Sequence, residues 1–186
     1  MTETDFLANF PQGVSVPSLL MRLLAFQNES QEFYSGHFEL SGGGPENMRA
    51  GFDGDEQAAS QFAVFGQDSD GSSYGFWLYD GRNLVNAPVV FLGSEGVHCT
   101  VLANTLEVFF SLLALGVNEL GFAASWNDFS APTELPPKLV AFRCWLKDEF
   151  DIVPSENPSE VIASARRNHP DLQAWLESWQ KSHFGT

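Results

Sequence analysis

The stretch that decides the fold is Phe62-Ala63-Val64-Phe65-Gly66-Gln67-Asp68-Ser69-Asp70-Gly71-Ser72-Ser73-Tyr74-Gly75-Phe76-Trp77-Leu78-Tyr79. Two runs rich in aromatic and small apolar residues flank a polar turn that contains Asp70-Gly71, which is the pattern of a β-hairpin. Residues 62–66 therefore predict a buried strand and residues 74–79 its return partner.

Working outward toward the C-terminus, Asp80-Gly81 supplies a second turn and residues 88–92 a further strand. Gly93-Ser94-Glu95-Gly96 supplies a third turn and residues 97–103 another strand. Successive strands on short turns predict an antiparallel meander. A helix follows, with Asn104 as N-cap, Glu107 three residues on as in a capping box, and Leu106, Phe109, Phe110 and Leu113 on one face. Gly116 is its expected stop. Residues 117–135 read as a connection, punctuated by Gly121 and Pro132 and followed by Pro136-Pro137.

Toward the N-terminus, residues 33–40 read as a strand and residues 46–60, polar and glycine-containing, as a loop with room for a short helical turn. Residues 17–27 read as a helix carrying Leu20, Leu23 and Leu24, and residues 1–15 as a loose leader. Residues 136–186 read as a helical part. Its first helix carries Leu139, Phe142, Leu146 and Phe150, its second opens at Asn157-Pro158-Ser159-Glu160 and stops near Asn168, and its third starts at Pro170. Strands in the middle and helices at both ends make an α+β fold in a single domain over residues 1–186.

Hydrophobic residues make up 44% of the 186 positions, enough for a core and too many for a disordered chain. The net charge is −15, and it is unevenly placed. Residues 1–135 hold 17 acids against 3 bases, a balance of −14, while the remainder holds 7 acids against 6 bases. Such a field repels phosphate backbones and anionic membranes, which argues against nucleic acid or membrane as partner. It favours encounter with a basic protein. No run of apolar residues reaches the length of a membrane span, and the first residues lack a basic segment followed by an apolar one, so the expected location is cytoplasmic. The two cysteines, Cys99 and Cys144, are no disulfide framework, and Cys99 is expected to be a small buried hydrophobe or a free thiol.

Gly71-Ser72-Ser73-Tyr74-Gly75 matches the G-x-S-x-G pattern, and Asp128 or Asp148 and then His169 follow in hydrolase order. The pattern needs a strand before it and a helix after it, whereas residues 76–79 read as strand. The Asp-rich segments from Asp53 and from Asp68 lack the glycine and glutamate positions of a calcium loop. His37, His98, His169 and His183 are scattered, so no zinc site is expected. No cofactor, metal or catalytic residue is assigned. Trp126, Trp145, Trp175 and Trp179 could anchor a partner, although Trp175 and Trp179 at helical spacing also suit a core.

Residues 62–67, the Asp-Gly hairpin, Tyr74-Gly75-Phe76-Trp77-Leu78-Tyr79, residues 88–96 and residues 101–110 together resemble the SUKH superfamily, the Smi/Knr-like immunity proteins of bacterial toxin systems. The resemblance covers residues 62–116. It implies a curved, mainly antiparallel sheet flanked by N- and C-terminal helices, no enzymatic activity, and direct binding of a cognate toxin that it neutralises by occlusion. Combined with the charge, this makes a basic toxin such as a nuclease the expected partner. Asp53, Asp55, Glu56, Asp68 and Asp70 are the candidate partner-binding residues, because acids on turns would steer docking. Solvated turns account for each of them equally well. The alternative reading is a protein-interaction or regulatory scaffold of the same fold, and a third is a hydrolase built on Ser73.

Overall fold

The structure, a computed structural model, describes residues 1–30, 33–130 and 132–185. Among these residues the chain is α+β, with nine α-helices and one open, five-stranded antiparallel sheet in the order β1-β2-β3-β4-β5. The strands are β1 (Glu39–Leu40), β2 (Phe62–Gln67), β3 (Ser73–Trp77), β4 (Val89–Leu92) and β5 (Thr100–Ala103). The helices are α1 (Glu3–Leu7), α2 (Ser18–Ser30), α3 (Gly44–Gly51), α4 (Glu56–Ala59), α5 (Leu106–Leu113), α6 (Leu120–Trp126), α7 (Pro137–Phe150), α8 (Pro158–Asn168) and α9 (Leu172–Phe184).

The meander forms as the turn chemistry predicts. In the β2–β3 hairpin Asp68 N–H donates to Ser72 O and Gly71 N–H donates to Asp68 O, with Gly71 at φ +87°, a conformation that a residue with a Cβ adopts only with strain. Asp80 (φ +55°) and Gly81 (φ +69°) turn the chain after β3. A register shift between Val64 and Gly66 marks a bulge in β2.

Antiparallel sheets commonly leave one face to water. This one is buried on both. Ala63, Phe65, Tyr74, Phe76, Val89, Phe91 and Leu102 belong to a core with α1, α2, α5, α6 and α7. Phe62, Trp77, Val90, Leu92 and Val101 belong to a second core with Phe52, Ala58, Leu172 and Leu176. Hence β4 reads as an unbroken apolar run, all four of its residues being buried. Gly121 in α6 lies flat on the Phe91 ring, where a Cβ would come within 2.1 Å of a ring carbon. That contact brings α6 against the sheet.

Several expectations change. Residues 1–15, read as a loose leader, carry α1, whose Phe6 is fully buried and packs edge-on against Phe10. Residues 46–60 are not a loop: α3 and α4 occupy most of them. Of the strand read over residues 33–40, only β1 forms. The connection at 117–135, of which Ala131 lies outside the described residues, contains α6. Thr105, not Asn104, caps α5, its hydroxyl accepting from Val108 N–H at 3.4 Å. Asn104 is engaged instead with His169. Cys99 is buried and, like Cys144, a free thiol. No helix among the described residues is long and apolar enough to cross a membrane.

Candidate partner-binding surface

Three of the five candidate acids converge on one place. Asp55 is the N-cap of α4: its Oδ1 accepts the N–H groups of Gln57 and Ala58, each at 3.0 Å. Its Oδ2 accepts the Trp179 indole N–H at 2.9 Å. The Ala58 amide first, and then the Trp179 indole, hold the Asp55 carboxyl below its ordinary range, so it stays ionised and oriented. Asp53 sits at φ +50° in the turn between α3 and α4, exposed, with Oδ2 3.4 Å from His183 Nε2. Glu56 projects into solvent 3.1 Å from Arg49.

The wall behind these acids is the C-terminal half of α9. Trp179 stacks on His183 with ring centres 5.1 Å apart, and Phe184, 55% exposed, meets both rings edge-on. Inward, Trp179 packs on Phe52 at 4.8 Å, and Phe52 stacks on Phe62 at 5.4 Å. Trp175 is surrounded by Phe52, Phe62 and Trp77, so it serves the core. Trp179 serves both, with one edge on the core and its N–H on the acidic turn. From the sequence, His183 is weighed only as a zinc ligand and Phe184 is not named. The signal was present in the i, i+4 spacing from Trp179 to His183 on an amphipathic helix.

The other two acids lie at the opposite end of β2, separated from the first group by six strand residues, or roughly 20 Å at ~3.3 Å each. Asp70 is exposed and ties the hairpin, accepting Ser72 N–H at 3.0 Å and the Ser72 hydroxyl at 2.8 Å. Asp68 is only 2% exposed and points inward, so its reading as a solvent-facing docking acid does not hold. Its Oδ2 accepts the Tyr74 hydroxyl at 2.5 Å, and that hydroxyl in turn accepts Gly121 N–H at 3.2 Å. Burial pushes the Asp68 carboxyl up to about 6; Tyr74 opposes that shift, and Asp70 and Glu119 add to it. Burial likewise raises the Tyr74 hydroxyl well above its usual value. The pair joins the hairpin to α6.

The hydrolase order falls apart in space. Ser73 opens β3, pairing with Gln67 on one side and Leu92 on the other, and strand follows it. His169 lies beyond the far end of that strand, its Nδ1 2.8 Å from the Tyr79 hydroxyl and its Nε2 3.0 Å from Asn104 Oδ1. Because an amide oxygen only accepts, Nε2 carries the proton and Nδ1 accepts from Tyr79. Burial first, and then the Arg82 charge, lower the His169 pKa and keep the ring neutral. Asn104 is therefore held by His169 and cannot cap α5. Among the described residues no group of three or more His, Cys, Asp or Glu is placed to hold a metal ion.

A comparison with protein-family models, with curated proteins and with solved structures finds no match to this chain.

Proposed function

We propose that this protein is an immunity protein of the SUKH kind, which binds a basic cognate toxin domain in the cytoplasm and blocks it by occlusion, without catalysis. The observation that carries this reading is the acidic turn of Asp53, Asp55 and Glu56 fixed against the exposed aromatic end of α9, on a chain of net charge −15. The two parts have different roles. The acids raise the rate of encounter with a basic surface, and the rings of Trp179 and Phe184 supply area that is desolvated on contact. Asp70, on the distant hairpin, adds to the field and not to the contact.

The test is titration of the purified protein against the toxic domain encoded beside it, at low and physiological salt. Nanomolar affinity is expected, with an association rate that falls as salt rises. In the double variant Asp53→Asn/Glu56→Gln the association rate should drop and lose much of its salt dependence. In Phe184→Ala the dissociation rate should rise. Absence of binding at micromolar concentration would remove the immunity reading and leave a scaffold for some other partner.

A further inference from the structure

A second surface lies on α6, beside His98 in the β4–β5 connection. Trp126 is 64% exposed and stacks on Phe122, with ring centres 5.4 Å apart and planes 26° from parallel. The two rings line a cavity of about 250 Å³ together with Glu119, Asp128, Ser130 and Pro132. Small-molecule sites usually enclose ~300–1,000 Å³. This one is smaller and suits a single inserted side chain.

The charge of that side chain is set by the walls. Glu119 and Asp128 flank the rings, and among the described residues no Lys or Arg lines the cavity. Asp128 is held ionised by Ser130, whose hydroxyl donates to Oδ1 at 2.6 Å and whose N–H donates at 3.2 Å; both bonds lower its pKa. The cations that come near are already committed. Arg143 donates to the carbonyls of Ala114 and Leu115, and Arg166 to Thr100 Oγ1 and the Ala124 carbonyl. His98 meets the outer edge of the two rings, 5.6 Å from Phe122 and 6.0 Å from Trp126.

We infer that this cavity takes an arginine side chain presented by a partner protein. A guanidinium stacks flat on an indole face and bonds carboxylates as a fork, whereas an ammonium does neither. The exposed Trp126, backed by the partly buried Phe122 and set between two carboxylates, meets both demands. The site does not depend on the toxin reading, since its occupant is defined by chemistry and is probed with a free peptide.

The probe is acetyl-Gly-Arg-Gly-amide, added to the full chain while the indole N–H resonances are followed. The same peptide with citrulline, and tetramethylammonium chloride, are the comparisons. The arginine peptide should shift the Trp126 resonance with a dissociation constant of about 1 mM, and citrulline should not. Asp128→Asn should weaken binding roughly threefold to tenfold, and Trp126→Ala should abolish it, with the melting temperature of each variant unchanged. Equal response to citrulline would overturn the charge recognition. Tetramethylammonium binding as well as arginine would overturn the arginine assignment in favour of a site for free organic cations. No shift at several times that concentration would overturn the site altogether.

Discussion

Asp68 and Asp70 stand two residues apart in one turn, the first sealed against Tyr74 and the second in solvent. In the sequence they are interchangeable members of Asp-Ser-Asp-Gly. What separates them is a hydroxyl six residues on and an α6 amide far along the chain, and neither contact is visible in local spacing. The burial of Asp68 has a consequence for stability. Its folded pKa is about 6 against an ordinary 3.8. Between those values the folded state holds a proton that the unfolded chain has released, so this group makes the protein less stable as pH rises from about 4 to about 6, by roughly 3 kcal/mol at most. Asp68→Asn keeps an acceptor for Tyr74 and removes the charge. The variant should melt higher than the wild type at pH 7.5, and the gap should close by pH 4.5. A variant that is destabilised equally at both values would show that the ionised carboxylate is needed where it stands. Asp55 works in the opposite sense: its lowered pKa supports the fold above the ordinary carboxylate range and loses that support as pH falls. Comparing variant with wild type at each pH removes this background.

At the scale of elements, the legible parts were those whose signals are local. The four strand regions from residue 62 onward follow from apolar and aromatic runs set off by Asp-Gly or Gly turns, α5, α7 and α9 from apolar spacing, and α8 from its Asn157-Pro158-Ser159-Glu160 opening. The elements that escaped have disguised ends. Both ends of α6 are non-glycine residues in the left-handed region, Glu119 at φ +52° and Asn127 at φ +55°, and no side chain caps its start. Its one strong sequence feature, Gly121, reads as a breaker until Phe91 is seen beneath it. Helix α3 is polar and contains glycine, and α4 is only four residues long, so only the packing of this region on Phe52 and Phe62 identifies them. The sheet edges are also closed by distant side chains. At β1, Gln27 accepts the Leu40 N–H at 2.6 Å and donates to the Leu40 carbonyl at 3.0 Å, which takes the place of a sixth strand there. At the other edge Gln173 accepts Cys99 N–H, and Arg166 binds Thr100. Open edges invite pairing with other chains. Gln27→Ala should therefore cost about 1–3 kcal/mol in urea unfolding and speed hydrogen exchange at the Leu40 amide. An unchanged midpoint together with unchanged exchange would mean that water replaces the glutamine without loss.

For the whole molecule, the sequence settles the sign and uneven spread of charge but not which helices cover which sheet face. The charge leads to an opposition that measurement can resolve. Ion pairs such as Arg49–Glu56, Arg167–Glu160 and Lys147–Asp151 would be weakened by salt, but they are exposed, and pairs of this kind contribute about 0–1 kcal/mol each. Against them stands the mutual repulsion of a chain with 24 acids and 9 bases. At 0.01 M salt the screening length is ~30 Å, so acids across the molecule repel one another; at 0.15 M it is ~8 Å, and only near neighbours do. Repulsion, summed over many pairs, should win. The melting temperature at pH 7.5 should rise between these sodium chloride concentrations, by roughly 2–4 °C for each kcal/mol of repulsion relieved. A fall over the same interval would mean that the ion pairs outweigh the net charge, and would weaken the case that the acidic field is strong enough to steer a basic partner. The Asp53→Asn/Glu56→Gln variant sharpens the comparison: with two fewer charges it should show a smaller rise than the wild type, because part of the repulsion is already gone.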